Sequence, residues 1–304
     1  MKKIAVIGIG SNSVRMLLTV EDGRKGKRLF RDREGTRLFA GLDEKGNLSV
    51  DSMNHTAQAV ARMAAYARNE GAETVRLFAT SATRDAANQT AFAQLLREQA
   101  NVELEICSGL DEAAYSYIGA SDGTACGVID IGGGSTEVIT GQGMDVEYSF
   151  SAQMGAVRLF RMLPLTNEEE MNAVIAHAEK LLRERPETEI IAGKQLRFFG
   201  TGGTFTTLAS MVRGTHWTER AYMHGTRVTR EQVLRQAELL CPMSLEERRQ
   251  LPGLQPNRAD IIVHGICILI ACMNVMNIGE ITVSEYGNLD GFTKKEFGLT
   301  EGLY

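Results

Sequence analysis

Val6-Ile7-Gly8-Ile9-Gly10-Ser11-Asn12-Ser13 and Val128-Ile129-Asp130-Ile131-Gly132-Gly133-Gly134-Ser135 are two versions of one pattern, set 122 positions apart. In each, a β-branched run breaks into a turn of Gly, Ser or Asn and then resumes as an apolar run. The resuming runs are Val14 to Val20 and Thr136 to Thr140. Such turns offer backbone N–H groups free of bulky side chains, an arrangement that cradles phosphate oxygens. Two copies predict two related domains with a phosphate held between them.

The first copy looks like a dinucleotide-binding G-x-G-x-x-G without its third glycine. That fingerprint needs strand, turn and then helix. Val14-Arg15-Met16-Leu17-Leu18-Thr19-Val20 is rich in β-branched and apolar residues and has no cap, so it reads as a second strand. No G-x-x-x-x-G-K-[ST] occurs either. What remains is a β-hairpin whose tight turn grips the anion, once per domain.

Working outward, strands are expected at 2–9, 14–20 and about 27–39, a helix over Asp51 to Glu70, and a strand over Val75 to Ala79. A helix over Thr83 to Ala100, a strand over Val102 to Cys107 and a helix over Ser108 to Ala120 come next. The polar turn Ser121-Asp122-Gly123-Thr124 marks a domain boundary. The second half repeats the order, with strands at 126–131, 135–141 and 145–151 and helices at 155–163 and 167–184. A strand at 196–200 leads into Gly200-Thr201-Gly202-Gly203-Thr204, which opens a helix. Helices at 229–240 and 257–277, a strand at 280–284 and a helix after Asp290 complete the reading. Three strands and then alternating helices and strands, twice over, is a duplicated α/β plan.

The 304 residues carry 43% hydrophobic and 6% aromatic side chains and a formal charge of −5, the profile of a soluble α/β protein. An acidic balance argues against a general nucleic-acid binder, so a polyanionic substrate must meet a local basic patch. The cysteines Cys107, Cys126, Cys241, Cys267 and Cys272 are scattered without C-x-x-C spacing, which predicts buried free thiols in a reducing cytoplasm. No leader is expected at Met1-Lys2-Lys3, and the apolar run Ile261 to Met273 is too short to span a bilayer. His55, His177, His216, His224 and His264 form no ligand spacing.

The motifs strongly resemble those of the exopolyphosphatase/guanosine pentaphosphate phosphatase (Ppx/GppA) family. Gly10-Ser11-Asn12-Ser13 and Ile129 to Glu137 match its two phosphate motifs. Ala79-Thr80-Ser81-Ala82-Thr83-Arg84-Asp85-Ala86 and Ser108-Gly109-Leu110-Asp111-Glu112-Ala113 match two further segments. Met154 to Leu159, Gly202-Gly203-Thr204 and Arg258-Ala259-Asp260 then appear in the family order. The resemblance implies duplicated actin/Hsp70/sugar-kinase-like (ribonuclease H-like) α/β domains with a phosphate-binding cleft between them. Residues 1–121 would form domain I and 122–304 domain II, with a C-terminal helix at about 291–304 able to pack back on domain I. Larger members carry additional C-terminal helical domains, so this chain looks like the short two-domain form.

The resemblance further implies site roles. Glu112 would activate water as general base, whereas Ser108-x-x-Asp111 reads as a capping box and Asp111 as its structural member. Asp130, before the glycine turn, can reach a Mg²⁺ (or Mn²⁺) that bridges phosphate oxygens. Glu137, seven residues on around a tight turn, returns beside Asp130 as a second metal or water ligand. Gly132, Gly133, Gly134 and Ser135 would bind phosphate from one domain, and Gly10, Ser11, Asn12 and Ser13 from the other. Three glycines inside an apolar strand weaken a sheet without a ligand to explain them. Arg84 is a candidate phosphate clamp, as are Gly202, Gly203 and Thr204, with Arg158 and Arg258 as weaker candidates. The basic stretch Arg24, Lys25, Lys27, Arg28, Arg31, Arg33 is interrupted by Asp22, Asp32 and Glu34 and reads as a solvated hairpin tip.

The implied activity is Mg²⁺-dependent release of orthophosphate from the end of inorganic polyphosphate, short chains favoured, in the cytoplasm. Guanosine pentaphosphate is the alternative substrate, and a homodimer is compatible with the sequence. Other classes are a phosphotransferase using ATP or ADP and a weakly active sensor. The sensor reading comes from Gly8, which stands where the family has Asp. It predicts that Gly8→Asp restores turnover. Tyr286-Gly287-Asn288-Leu289-Asp290-Gly291 also departs from the family's G-L-R-E-G.

Overall fold

The computed structural model describes residues 1–219 and 222–304. The chain divides into two compact units, Met1–Gly119 with Asn288–Tyr304, and Ala120–Gly287.

In the first unit, β1 (Lys2–Ile9), β2 (Val14–Asp22) and β3 (Lys25–Glu34) form an antiparallel meander. Then come α1 (Val50–Asn69), β4 (Thr74–Ala79), α2 (Ser81–Arg84), α3 (Gln89–Ala100), β5 (Leu104–Ile106) and α4 (Gly109–Ala120). β4 joins β1 in parallel, and β5 joins β4 likewise. Ile4 to Ile9, Gly8 included, are buried without alternation, because both faces of the strand are covered. α1 starts where the Ser49 hydroxyl accepts from the Ser52 N–H and stops before Gly71 at φ +84°. Its buried stripe of Met53, Ala57, Val60, Met63, Ala64 and Ala67 has helical spacing.

The second unit repeats the plan with β6 (Cys126–Ile131), β7 (Thr136–Gln142), β8 (Asp145–Ala152), α5 (Ala156–Met162), α6 (Glu168–Arg183), α7 (Pro186–Ala192) and β9 (Arg197–Thr201). It continues through α8 (Gly203–Arg213), β10 (Arg227–Thr229), α9 (Arg230–Leu240), α10 (Leu245–Arg249), α11 (Ile262–Val275) and β11 (Glu280–Val283). α11 is the long apolar run of the sequence. It is buried from Ile262 to Met273 and lies at the heart of this unit's core. Among the described residues no helix is long and apolar enough to cross a membrane. The chain then returns to the first unit as α12 (Asn288–Glu296) and β12 (Gly302–Leu303).

Among the described residues the sheet orders are β12-β3-β2-β1-β4-β5 and β10-β11-β9-β6-β7-β8. Setting aside the edge strands β12 and β10, the two cores have identical order and identical strand directions. The likeness extends to a defect. The register slips between Leu18 and Thr19 in one meander and between Thr140 and Gly141 in the other, which is the same offset of 122. This is a duplicated α/β architecture.

α4 and α12, by which the chain leaves and re-enters the first unit, meet at backbone contact. A Cβ on Gly291 would fall 1.8 Å from the Tyr115 carbonyl oxygen. Beside it Phe292 stacks on Phe78 at 4.6 Å and tilts against Tyr115 at 5.0 Å.

Some elements differ from the sequence reading. β3 ends at Glu34, and Leu38–Gly41 is a 3-10 turn, not strand. The helix expected over 83–100 is two helices, because Asn88 turns its amide to the Leu48 backbone at 2.9 Å and leaves the helical path. α7 and α10 have no counterpart in that reading. The basic stretch is also less solvated than expected. Arg28 (3.1 Å) and Arg31 both reach Asp290, whose carboxylate is buried and requires cationic partners. All five cysteines are buried free thiols, as expected.

Candidate functional site

Both meanders close their first turn in the same way. The Gly10 N–H donates to the Ser13 carbonyl at 3.0 Å, and the Gly132 N–H to the Ser135 carbonyl at 3.0 Å. The segment after each third strand then ties the turn's carbonyls down. In the first unit Phe39 N–H donates to Ser11 O at 2.9 Å and Arg37 N–H to Asn12 O at 3.2 Å. In the second, Ala156 N–H reaches Gly132 O at 3.0 Å, and Val157 and Arg158 N–H reach Gly133 O at 2.9 and 3.0 Å. The Arg158 guanidinium completes the set at Gly134 O, 2.7 Å away. With the carbonyls held on one side, the central peptides present their N–H groups on the other. A run of such N–H groups is an anion nest. Sequence pattern revealed the turns but not these ties.

In the first unit the turn is joined to its neighbours by Ser11 Oγ and Ser81 Oγ, 3.0 Å apart, Ser81 opening α2. Arg84 closes α2. Its Nη1 donates to the Cys107 carbonyl at 2.9 Å and to Glu112 Oε2 at 3.3 Å, while its buried Nη2 has no acceptor among the described residues. Glu112 is 5% exposed on α4. Asp111 is engaged otherwise. Its carboxylate accepts from Ser108 Oγ at 2.6 Å and Ser108 N–H at 3.2 Å, and Ser108 Oγ in return accepts from Asp111 N–H at 3.1 Å. That is the expected capping box, and it leaves Glu112 as the acid of this turn aimed elsewhere.

In the second unit Asp130 on β6 and Glu137 on β7 are direct cross-strand partners, so their side chains share one face of the sheet. Both are buried. Ser151 on β8, opposite Glu137, donates to Glu137 Oε1 at 2.7 Å, a partner the sequence reading missed. Gly202 sits at φ +95°, where its Cβ would lie 2.8 Å from Asp130 Oδ1, so a glycine is needed for β9 to turn into α8 over the carboxylate. The Arg258 guanidinium rests on Gly203, within 1.8–2.2 Å of where a Cβ would be. Thr204 is buried beneath Gly265 of α11. The second unit thus gathers Gly132–Ser135, Asp130, Glu137, Gly202–Thr204, Arg158 and Arg258. The first gathers Gly10–Ser13, Arg84 and Glu112.

The donor chemistry suits Mg²⁺. Asp130 and Glu137 provide hard carboxylate oxygens side by side, and no group of three or more His, Cys, Asp or Glu assembles among the described residues. Mg²⁺ typically takes one or two carboxylates, keeps waters and completes its shell with substrate phosphate, unlike metals that need a full protein cage.

Similarity to known proteins extends over nearly the whole chain. A model of the Ppx/GppA phosphatase family matches residues 19–296. Exopolyphosphatase 2 of Mycobacterium tuberculosis (strain ATCC 25618 / H37Rv) is 31% identical over 310 residues, covering 95% of this chain and 97% of that protein. The crystal structure of the Aquifex aeolicus Ppx/GppA family member superposes with a TM-score of 0.80 at 26% identity, covering 97% of each chain. An exopolyphosphatase from Cytophaga hutchinsonii ATCC 33406 has the same fold, with a TM-score of 0.87 at 22% identity over 97% of this chain and 98% of that one. The family model takes in Glu112, Asp130, the second glycine turn and Glu137, and the chain belongs to the Ppx/GppA phosphatase family.

Proposed function

We propose that this chain is an exopolyphosphatase, releasing orthophosphate from the end of inorganic polyphosphate. The observation that carries the reading is the second unit's buried Asp130–Glu137 pair set directly beside a glycine turn whose carbonyls are tied back. Cleaving a phosphoanhydride demands little covalent chemistry from protein; it demands positioning, charge neutralisation and an oriented water. In each unit the N–H groups of the glycine turn are donors suited to phosphate oxygens. Asp130 and Glu137 would hold Mg²⁺, whose charge would offset that of the phosphate. Glu112 takes a proton from water as the water oxygen bonds to the terminal phosphorus. The bridging P–O bond breaks, and the shortened chain departs with the bridging oxygen. Arg84 fixes the Glu112 carboxylate through Nη1 and offers Nη2 to the phosphate.

A preference for short chains is part of the proposal. Arg28 and Arg31, two cations of the basic stretch on β3, are engaged by Asp290. The buried thiols suit a reducing, cytoplasmic setting. The test is phosphate release from short-chain polyphosphate, long-chain polyphosphate and guanosine pentaphosphate, each with and without Mg²⁺. The expected order of kcat/KM is short chain, then long chain, then the nucleotide, with Mg²⁺ required throughout. Fastest turnover on guanosine pentaphosphate would transfer the assignment to that substrate, and release unaffected by chelation would remove the metal from it.

A further inference from the structure

Strand register aligns a row of side chains across each sheet. In the second unit the row is Ser151, Glu137, Asp130 and Thr201, on β8, β7, β6 and β9. The matching row of the first unit is Arg33, Arg15, Gly8 and Phe78, on β3, β2, β1 and β4. The acid pair is replaced by a glycine facing a guanidinium, and the threonine by a phenyl ring.

The space at Gly8 is filled. A Cβ there would lie 2.9 Å from Phe78 Cζ, 3.1 Å from Phe78 Cε1 and 3.5 Å from Leu289 Cδ1. Phe78 has no easy way to yield. It is 1% exposed, stacked on Phe292 at 4.6 Å and flanked by Tyr115 at 6.3 Å. Across the strand, Arg15 is held by Asn288 Oδ1 at 2.8 Å. A carboxylate introduced at position 8 would therefore meet an aromatic ring on one side and a fixed cation on the other. Neither surrounding admits a divalent ion, since ring and guanidinium offer no anionic oxygen and the guanidinium repels a cation.

We propose that Phe78 is a plug that closes the first unit's row to metal, so that the chain takes its divalent cation at Asp130 and Glu137 alone and Gly8 is a packing residue. This rests on the metal reading of Asp130 and Glu137 given above. It reverses the expectation for Gly8→Asp, which should destabilise the protein and leave turnover unrestored.

Two readouts test it, neither of them activity. Mn²⁺ is titrated by equilibrium dialysis at saturating inorganic phosphate. Thermal unfolding is followed for Gly8→Ala, Phe78→Ala and the double variant, with Phe78→Leu in reserve should the alanine fail to fold. Expected are one Mn²⁺ per chain, abolished by Asp130→Asn and by Glu137→Gln, and still one in Gly8→Asp. Gly8→Ala should lower Tm by about 5 °C in the wild-type background and by far less once Phe78 is trimmed, because the strain belongs to that contact. Absence of Mn²⁺ binding, or binding untouched by Asp130→Asn and Glu137→Gln, overturns the metal reading and this proposal with it. A second Mn²⁺ that survives Asp130→Asn, or Gly8→Ala effects that are additive with those at Phe78, overturns the plug while leaving the metal reading in place.

Discussion

Glu112→Gln is expected to lower the rate of phosphate release by about 10²–10⁴-fold while the protein keeps its fold and its KM within a few-fold. Glutamine has the same shape and retains an oxygen for the Arg84 guanidinium, which lies 3.3 Å from Glu112 Oε2. What it cannot do is accept a proton from water. Neighbouring Asp111 makes a stringent control, since its carboxylate is committed to the Ser108 cap at 2.6 and 3.2 Å. Asp111→Asn should loosen the start of α4, at about 0.5–2 kcal/mol of stability, with turnover nearly unchanged. Steady-state kinetics of the two variants beside wild type decides the matter. Wild-type turnover in Glu112→Gln would place the base elsewhere.

Gly155→Ala should be nearly as damaging, by a different route. The backbone at Gly155 has φ −120° and ψ 162°, which alanine adopts freely, so no conformational strain is involved. The obstacle is the Gly132–Ser135 turn. A Cβ would lie 2.3 Å from the Gly133 carbonyl carbon and oxygen and 2.4 Å from the Gly134 nitrogen, all main-chain atoms. The turn must move away, breaking the bonds from Ala156, Val157 and Arg158 that orient it. Displacing a phosphate grip by an ångström costs about 10²-fold in kcat/KM. Gly279→Ala, with nothing within 4 Å of its Cβ, should be neutral in both activity and Tm. Kinetics plus thermal unfolding of these two alanines provides the comparison, and unaltered kinetics in Gly155→Ala would mean that the turn does not touch substrate.

The fold was readable where the signal is local. β-Branched apolar runs broken by glycine gave both meanders, and the offset of 122 gave the duplication; the register slips at that same offset appear only in the strand pairing. The Ser244–Glu247 capping box, which opens α10, is a local signal of the same kind. The break between α2 and α3 was not visible, because it depends on Asn88 bonding the distant Leu48 backbone. The site divides in the same way. Asp130, Glu137 and the Gly132–Ser135 turn lie within one hairpin, so spacing brings them together. Ser151 behind Glu137, Gly155 under Gly133 and Phe78 against Gly8 meet only through pairing between strands or packing of a later helix onto the turn. A buried polar residue such as Asp290 likewise looks like an ordinary helix-start acid until Arg28 and Arg31 are seen to converge on it.

The two rows across the sheets, acid facing acid in one and glycine facing arginine in the other, have a meaning for descent. Two identical half-length chains paired about a two-fold axis would have to display the same row twice, since symmetry copies every substitution into both halves. Joining the halves into one polypeptide removes that constraint, and each copy is then free to accept mutations that the other would not survive. Here one copy carries carboxylates where the other carries a fixed positive charge and a ring, so the two halves share a backbone plan and differ in chemistry.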